Sequence, residues 1–134
     1  EELSDFDRVG LLIRQNKYAE AIPLCRRLLS TSHPDNFYIN YQLGNAYFEL
    51  GQWTNGLKAY SSALRKNRAY AKKARLNNNA IRAFGNSKTW PRARNLYRSQ
   101  IGKAGIPFLR KAGQRSNSNV TVRNRANTVL RQLR

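Results

Sequence analysis

Apolar residues recur at helical spacing along most of the chain, in blocks of similar length separated by short polar turns. The clearest block is 37–64. It reads Phe37-Tyr38-Ile39-Asn40-Tyr41-Gln42-Leu43-Gly44-Asn45-Ala46-Tyr47, then Gly51-Gln52-Trp53, Gly56, Tyr60 and Ala63-Leu64. Residues 2–35 follow the same pattern more loosely, with Asn16-Lys17-Tyr18 at the turn and Ala21, Cys25, Leu28 and Leu29 after it. A third copy runs from about Ala74 to Pro107, with Ala80, Ile81 and Phe84 before the turn and Trp90, Ala93, Tyr97 and Ile101 after it. Its turn, Gly85-Asn86-Ser87-Lys88, is longer, and Pro91 falls in the first turn of the following helix, where a missing N–H costs little. Each block predicts two helices. The small residues let the pair cross closely, and the aromatics fill the gaps between turns. No segment shows the alternation of a strand.

The last segment changes character. Ile106-Pro107-Phe108-Leu109-Arg110-Lys111-Ala112 precedes the polar turn Ser116-Asn117-Ser118-Asn119, a good N-cap cluster. Val120-Thr121-Val122-Arg123, then Ala126, Val129-Leu130 and Leu133, predict a final helix.

The Leu43-Gly44-x-x-Tyr47 core, the turn Gly51 before Trp53 and the small residue near the start of the next helix resemble a tetratricopeptide repeat (TPR). Gly56 departs from that family, which prefers Ala there. His33-Pro34-Asp35 joins the first block to the second; it also spells the tripeptide of J-domain co-chaperones, and is read here as the turn. The early Pro107, the polar turn and the Val122-Arg123 pair resemble a HEAT repeat, although that family's turn Asp is here Asn or Ser. These resemblances imply an all-α fold, a right-handed superhelical solenoid of about eight antiparallel helices. They imply one helical-repeat domain over 1–134, with TPR-like units at about 2–35, 36–69 and 70–104 and a HEAT-like pair at 105–134.

Charge alters the picture. Residues 1–49 hold five Lys/Arg and seven Asp/Glu; residues 50–134 hold 20 Lys/Arg and no acid, within a total of +18. Solvated helix faces ordinarily mix both signs, because opposite charges one turn apart stabilise a helix and one-sign fields repel themselves. The imbalance points to negative charge supplied from outside the chain. The 40% hydrophobic content is enough for a core. No apolar run approaches the roughly 18–20 residues that span a bilayer. One Cys and one His rule out a disulfide framework or a zinc cluster within the chain, and Cys25, among Ala21, Ile22, Leu24 and Leu28, reads as a small buried hydrophobe. No nucleophile constellation, acid pair or Gly-rich phosphate loop is visible, so an enzyme and a cofactor are not expected. The chain contains no Met, even at position 1. A cleaved secretory signal and a trimmed N-terminus both account for that; the reading leans to export, with a cytoplasmic location as the alternative.

The TPR resemblance implies that the first helix of each pair lines a concave groove. Its lining would pass from Leu3, Phe6, Gly10, Ile13 and Arg14, through the aromatics Tyr38, Tyr41 and Phe48 with Asn45 and Glu49, to Arg75, Asn78, Arg82, Gly85 and Asn86. By helical geometry alone, Lys72, Arg75, Asn79, Arg82 and Asn86 step by three and four residues and share a stripe. Arg94 and Arg98 lie one turn apart on the next helix, and Arg123, Asn127, Arg131 and Arg134 line the last. Arg123 has two readings of equal weight, bracing the HEAT-like turn or touching a ligand.

These features favour a non-enzymatic nucleic-acid-binding protein that grips the phosphate backbone of a single strand with little sequence specificity, through Lys72, Arg75, Asn78, Asn79, Arg82, Asn86, Arg94, Arg98, Arg123 and Arg131. RNA is favoured over DNA, since no major-groove reading motif appears. The acidic, apolar N-terminal end and the basic C-terminal end also suit head-to-tail self-association into a filament. The alternative is the one TPR resemblance implies by default, a protein-interaction scaffold holding a peptide, helix or acidic partner in its groove.

Overall fold

The computed structural model describes residues 3–31 and 36–133. The His33-Pro34-Asp35 turn and Arg134 of the last stripe lie outside the described residues. Eight α-helices and no strand occur among those described: α1 (Asp5–Arg14), α2 (Tyr18–Thr31), α3 (Phe37–Glu49), α4 (Trp53–Lys66), α5 (Ala74–Arg82), α6 (Trp90–Leu96), α7 (Ile106–Ala112) and α8 (Val120–Leu133). They cluster into two compact units, residues 1–67 and 68–134.

In the first unit the repeat is written in backbone hydrogen bonds. After α1, Asn16 N–H donates to Ile13 O (3.0 Å) and Lys17 N–H to Leu12 O (2.8 Å). After α3, Gly51 N–H donates to Phe48 O (3.1 Å) and Gln52 N–H to Tyr47 O (2.8 Å). Both are Schellman stops, which need a left-handed residue just past the helix. Asn16 (φ 59°) and Gly51 (φ 78°) fill that place, Gly without steric cost and Asn as the side chain that best tolerates it. The first helix of each pair in this unit starts from a side-chain cap: Ser4 Oγ accepts from Asp7 N–H (3.1 Å) at α1, and Asn36 Oδ1 accepts from Ile39 N–H (2.9 Å) at α3.

The core of this unit joins Val9 and Ile13 of α1, Ala21, Ile22, Cys25 and Leu28 of α2, and Ile39, Leu43, Ala46 and Tyr47 of α3. Burial pushes the Cys25 thiol up to about 12, so it stays protonated and inert at neutral pH. α3 and α4 cross where two glycines face each other. A Cβ on Gly44 would lie 2.5 Å from the Tyr60 ring, and one on Gly56 would lie 2.4 Å from the Phe48 ring. Phe48 stacks on Tyr60 (centroids 5.5 Å, 16°) and on Trp53 (6.0 Å, 24°). Tyr60 donates its hydroxyl to Asn45 Oδ1, and Asn45 Nδ2 donates to Gln42 Oε1 (3.0 Å), so the buried polar atoms at the crossing are paired.

The second unit rebuilds the same aromatic trio. Phe84 meets Trp90 edge-on (5.0 Å, 84°) and Tyr97 at 5.6 Å. Trp90, Ala93 and Tyr97 keep the spacing of Trp53, Gly56 and Tyr60. Tyr97, whose ionisation burial pushes well above its usual range, donates to Asn77 Oδ1 (2.7 Å), and Asn77 Nδ2 donates to Ala71 O (2.8 Å) and Lys73 O (2.9 Å). The turn differs: α5 tightens into a 3-10 segment over Ala83–Gly85, and Thr89 Oγ1 closes the loop on Ala83 O (2.7 Å). After α6 the chain passes through a π segment (Tyr97–Ile101) and a 3-10 segment (Gly102–Gly105) into α7, which packs against α8.

The glycine crossing predicts an inversion of the family preference. Gly56→Ala, the residue common in TPRs, forces the Phe48 ring aside and lowers stability by about 1–3 kcal/mol, the usual range for overpacking. Phe48→Leu in the same chain costs less than the two single changes together. Urea unfolding of the four chains measures this; additive losses would show that the ring and the glycine do not constrain each other.

Candidate functional site

The ten polar candidates all belong to the second unit, and Tyr38, Tyr41 and Phe48 to the first. The boundary at residue 67 sharpens the charge division. The first unit has eight Lys/Arg against seven Asp/Glu, whereas residues 68–134 have 17 Lys/Arg and no acid.

On α5, Arg75, Asn78 and Arg82 step by three and four residues, and all three reach solvent, Arg75 partly. Asn79 does not belong with them: it is 4% exposed and accepts from Arg82 Nη1 (3.0 Å). The five-residue stripe expected through Lys72, Arg75, Asn79, Arg82 and Asn86 is therefore corrected. α5 spans only nine residues. Lys72 precedes it in a 3-10 turn and Asn86 follows it after another, so neither keeps α-helical register. Both are exposed, and Asn86 organises its turn, its Oδ1 accepting from Lys88 N–H (2.8 Å).

Arg94 is half-buried with its guanidinium 5.5 Å from the Trp90 ring, and its Nε is buried without a hydrogen-bond partner among the described residues. Arg98 is exposed on the π segment, and exposed Arg131 reaches Thr128 Oγ1 (3.4 Å). Arg123 braces its turn: Nη1 donates to Arg115 O (3.3 Å) and Asn117 O (3.4 Å), beside Asn117 Nδ2 on Ala112 O (2.7 Å) and Asn127 Nδ2 on Gly113 O (3.0 Å). Of its two readings, the bracing one is the contact seen.

Arg125 carries a structural role that sequence reasoning missed. It donates to Phe84 O (2.6 Å) and sits 5.2 Å from the Trp90 ring, tying α8 to the aromatic trio. Without carboxylates in the unit, its buried arginines take backbone carbonyls and an indole as partners. Asn77 was missed too; it accepts from Tyr97 as Asn45 accepts from Tyr60, but across 20 residues rather than 15, so spacing gave no signal.

Of the aromatics, Tyr38 and Tyr41 are half-buried, Tyr38 lying 6.2 Å from Phe6 and Tyr41 6.0 Å from Tyr60. Phe48 is 1% exposed and cannot line a groove. Gly56 explains the correction, because the missing methyl leaves the space that the ring fills. Among the described residues, no three His, Cys, Asp or Glu converge as metal ligands, and no helix is long and apolar enough to cross a membrane.

Residues 12–76 match the family model described as tetratricopeptide repeat, over the stretch that holds both Schellman stops and the glycine crossing. The chain is a TPR-like helical-repeat protein. No curated protein matches it, and no solved structure does. A TPR-like repeat is a scaffold, and the family typically serves protein–protein interaction. The matched stretch covers residues 12–67 of the first unit and ends in the first turn of α5, so most of the acid-free unit lies beyond it.

The partners of each arginine sort the cations. Arg125→Ala removes a charged hydrogen bond and a ring contact and lowers stability by roughly 2–4 kcal/mol. Arg98→Ala changes it by less than about 0.5 kcal/mol, as for other exposed sites. Thermal or urea unfolding separates the two, and an equal effect at both positions would contradict the assignment.

Proposed function

We propose that the second unit binds the phosphate backbone of single-stranded nucleic acid, RNA in preference to DNA, with little sequence specificity, on the scaffold of a TPR-like repeat. The observation that carries this reading is 17 Lys/Arg without one acid over residues 68–134. The partners seen for Arg82, Arg123, Arg125 and Arg131 are an amide, carbonyls, a hydroxyl and an indole, neutral groups that do not cancel charge. Phosphates do, and each one neutralised releases counterions. Arg75, Asn78 and Arg82 offer two cations and an amide on one exposed helix face, and Lys72, Arg98 and Arg131 are exposed cations elsewhere in the unit. Neutral amides suit phosphate and sugar oxygens, which are read without regard to sequence. Association of further copies along the strand, head to tail, belongs to the same proposal.

A second reading, a scaffold for an acidic protein segment, is favoured by the family and by one cavity of the first unit. It measures about 780 Å³ and combines Arg26, Arg27 and Lys58 with the apolar Leu29, Leu43 and Ala59. An acidic peptide with an apolar anchor fits such a lining.

Salt dependence decides between them. On a single strand each neutralised phosphate adds about 0.7 to the slope of log affinity against log salt. Arg75→Glu with Arg82→Glu is expected to lower that slope by at least about 1.4 while circular dichroism shows the helices intact. An unchanged slope and affinity in this variant would remove α5 from the interface.

A further inference from the structure

The second unit contains a cavity of about 350 Å³ whose walls come from α5, α7 and the turn that follows α7. Its apolar part is Ile81 and Phe108; its polar part includes Asn78, Lys111, Gln114 and Asn117. The size lies at the low end of the roughly 300–1,000 Å³ of ligand pockets, enough for one flat ring system. We infer that this cavity receives a single nucleobase from the bound strand, an inference that rests on the nucleic-acid reading above.

Three observations support a base rather than a phosphate. Asn117 is already committed, donating Nδ2 to Ala112 O (2.7 Å) and accepting Asn119 N–H on Oδ1 (3.0 Å), so it forms a fixed wall. The amides of Asn78 and Gln114 make no side-chain hydrogen bond among the described residues, and both are exposed. Each amide offers a carbonyl acceptor and an NH₂ donor, the mixture that the hydrogen-bonding edge of a base requires and a phosphate does not. Phe108, half-buried on α7, supplies an aromatic surface for a ring to pack on, and Lys111 supplies a cation one turn away for the adjoining phosphate. Arg75 and Arg82 flank Asn78 on the exposed face of α5, which puts phosphate-binding groups next to one wall of the cavity. Amides that can each turn to present either group do not select one base, in keeping with low sequence specificity.

The test compares a short single-stranded RNA with an abasic ribose-phosphate strand of equal length, each titrated at one salt concentration by fluorescence anisotropy. The parent protein and Gln114→Ala are measured side by side. The parent is expected to bind the base-bearing strand roughly tenfold more tightly, within the range that one seated base contributes. The variant is expected to lose most of that preference while its affinity for the abasic strand stays unchanged. A parent that binds both strands equally overturns the base pocket and leaves phosphate binding standing. A variant that weakens equally on both strands also overturns it, since the amide would then serve the backbone or the fold. A parent that binds neither strand removes the nucleic-acid reading and the pocket with it.

Discussion

Seventeen positive charges on residues 68–134, with no carboxylate among them, constrain everything else in that unit. Two like charges about 10 Å apart in water repel by only about 0.4 kcal/mol, but 17 charges make many such pairs, and low salt leaves them unscreened. The fold answers with neutral partners. Arg123 and Arg125 donate to carbonyls, Asn77 links Tyr97 to the backbone, and Arg94 and Arg125 border one indole. These contacts satisfy donors without removing charge. Arg94 Nε is the buried donor left without a hydrogen-bond partner among the described residues, and the unit keeps its net positive charge.

An aromatic trio recurs once in each unit. Phe48, Trp53 and Tyr60 in the first unit correspond to Phe84, Trp90 and Tyr97 in the second. Each such aromatic pair adds about 0.5–1.5 kcal/mol beyond the area it buries. Where Ala93 stands in one copy, Gly56 stands in the other, and the Phe48 ring takes the vacated space. Both rings are core all the same, Phe48 beside the glycine and Phe84 in the copy that carries Ala93.

Much of this was legible from residue spacing. The helical pairs, the turns at Asn16 and Gly51, the third repeat with its longer turn and the final helix pair all follow from periodicity and turn chemistry. Phe48 lies five residues before Trp53 and Phe84 six before Trp90, so the longer third turn hid their correspondence. The helix-end geometry was not legible either. Periodicity assumes an α-helix that continues, whereas the chain tightens to 3-10 at Ala83, which puts Asn86 out of register with Arg75 and Arg82. Asn78 and Asn79 are chemically identical and differ by one step of about 100°, so only packing tells which faces water. Arg125 and Arg123 likewise look like surface cations until the carbonyls of Phe84 and the α7–α8 turn come into reach.

The proposal that the second unit binds nucleic acid stands or falls on one observation. Protein isolated from its source at low salt, without nuclease, should show the ultraviolet absorbance ratio of a nucleoprotein. That ratio should fall to a protein-like value after ribonuclease or high-salt treatment. A protein-like ratio from the outset, with the fold intact, would show that the missing acids are supplied by something other than nucleic acid.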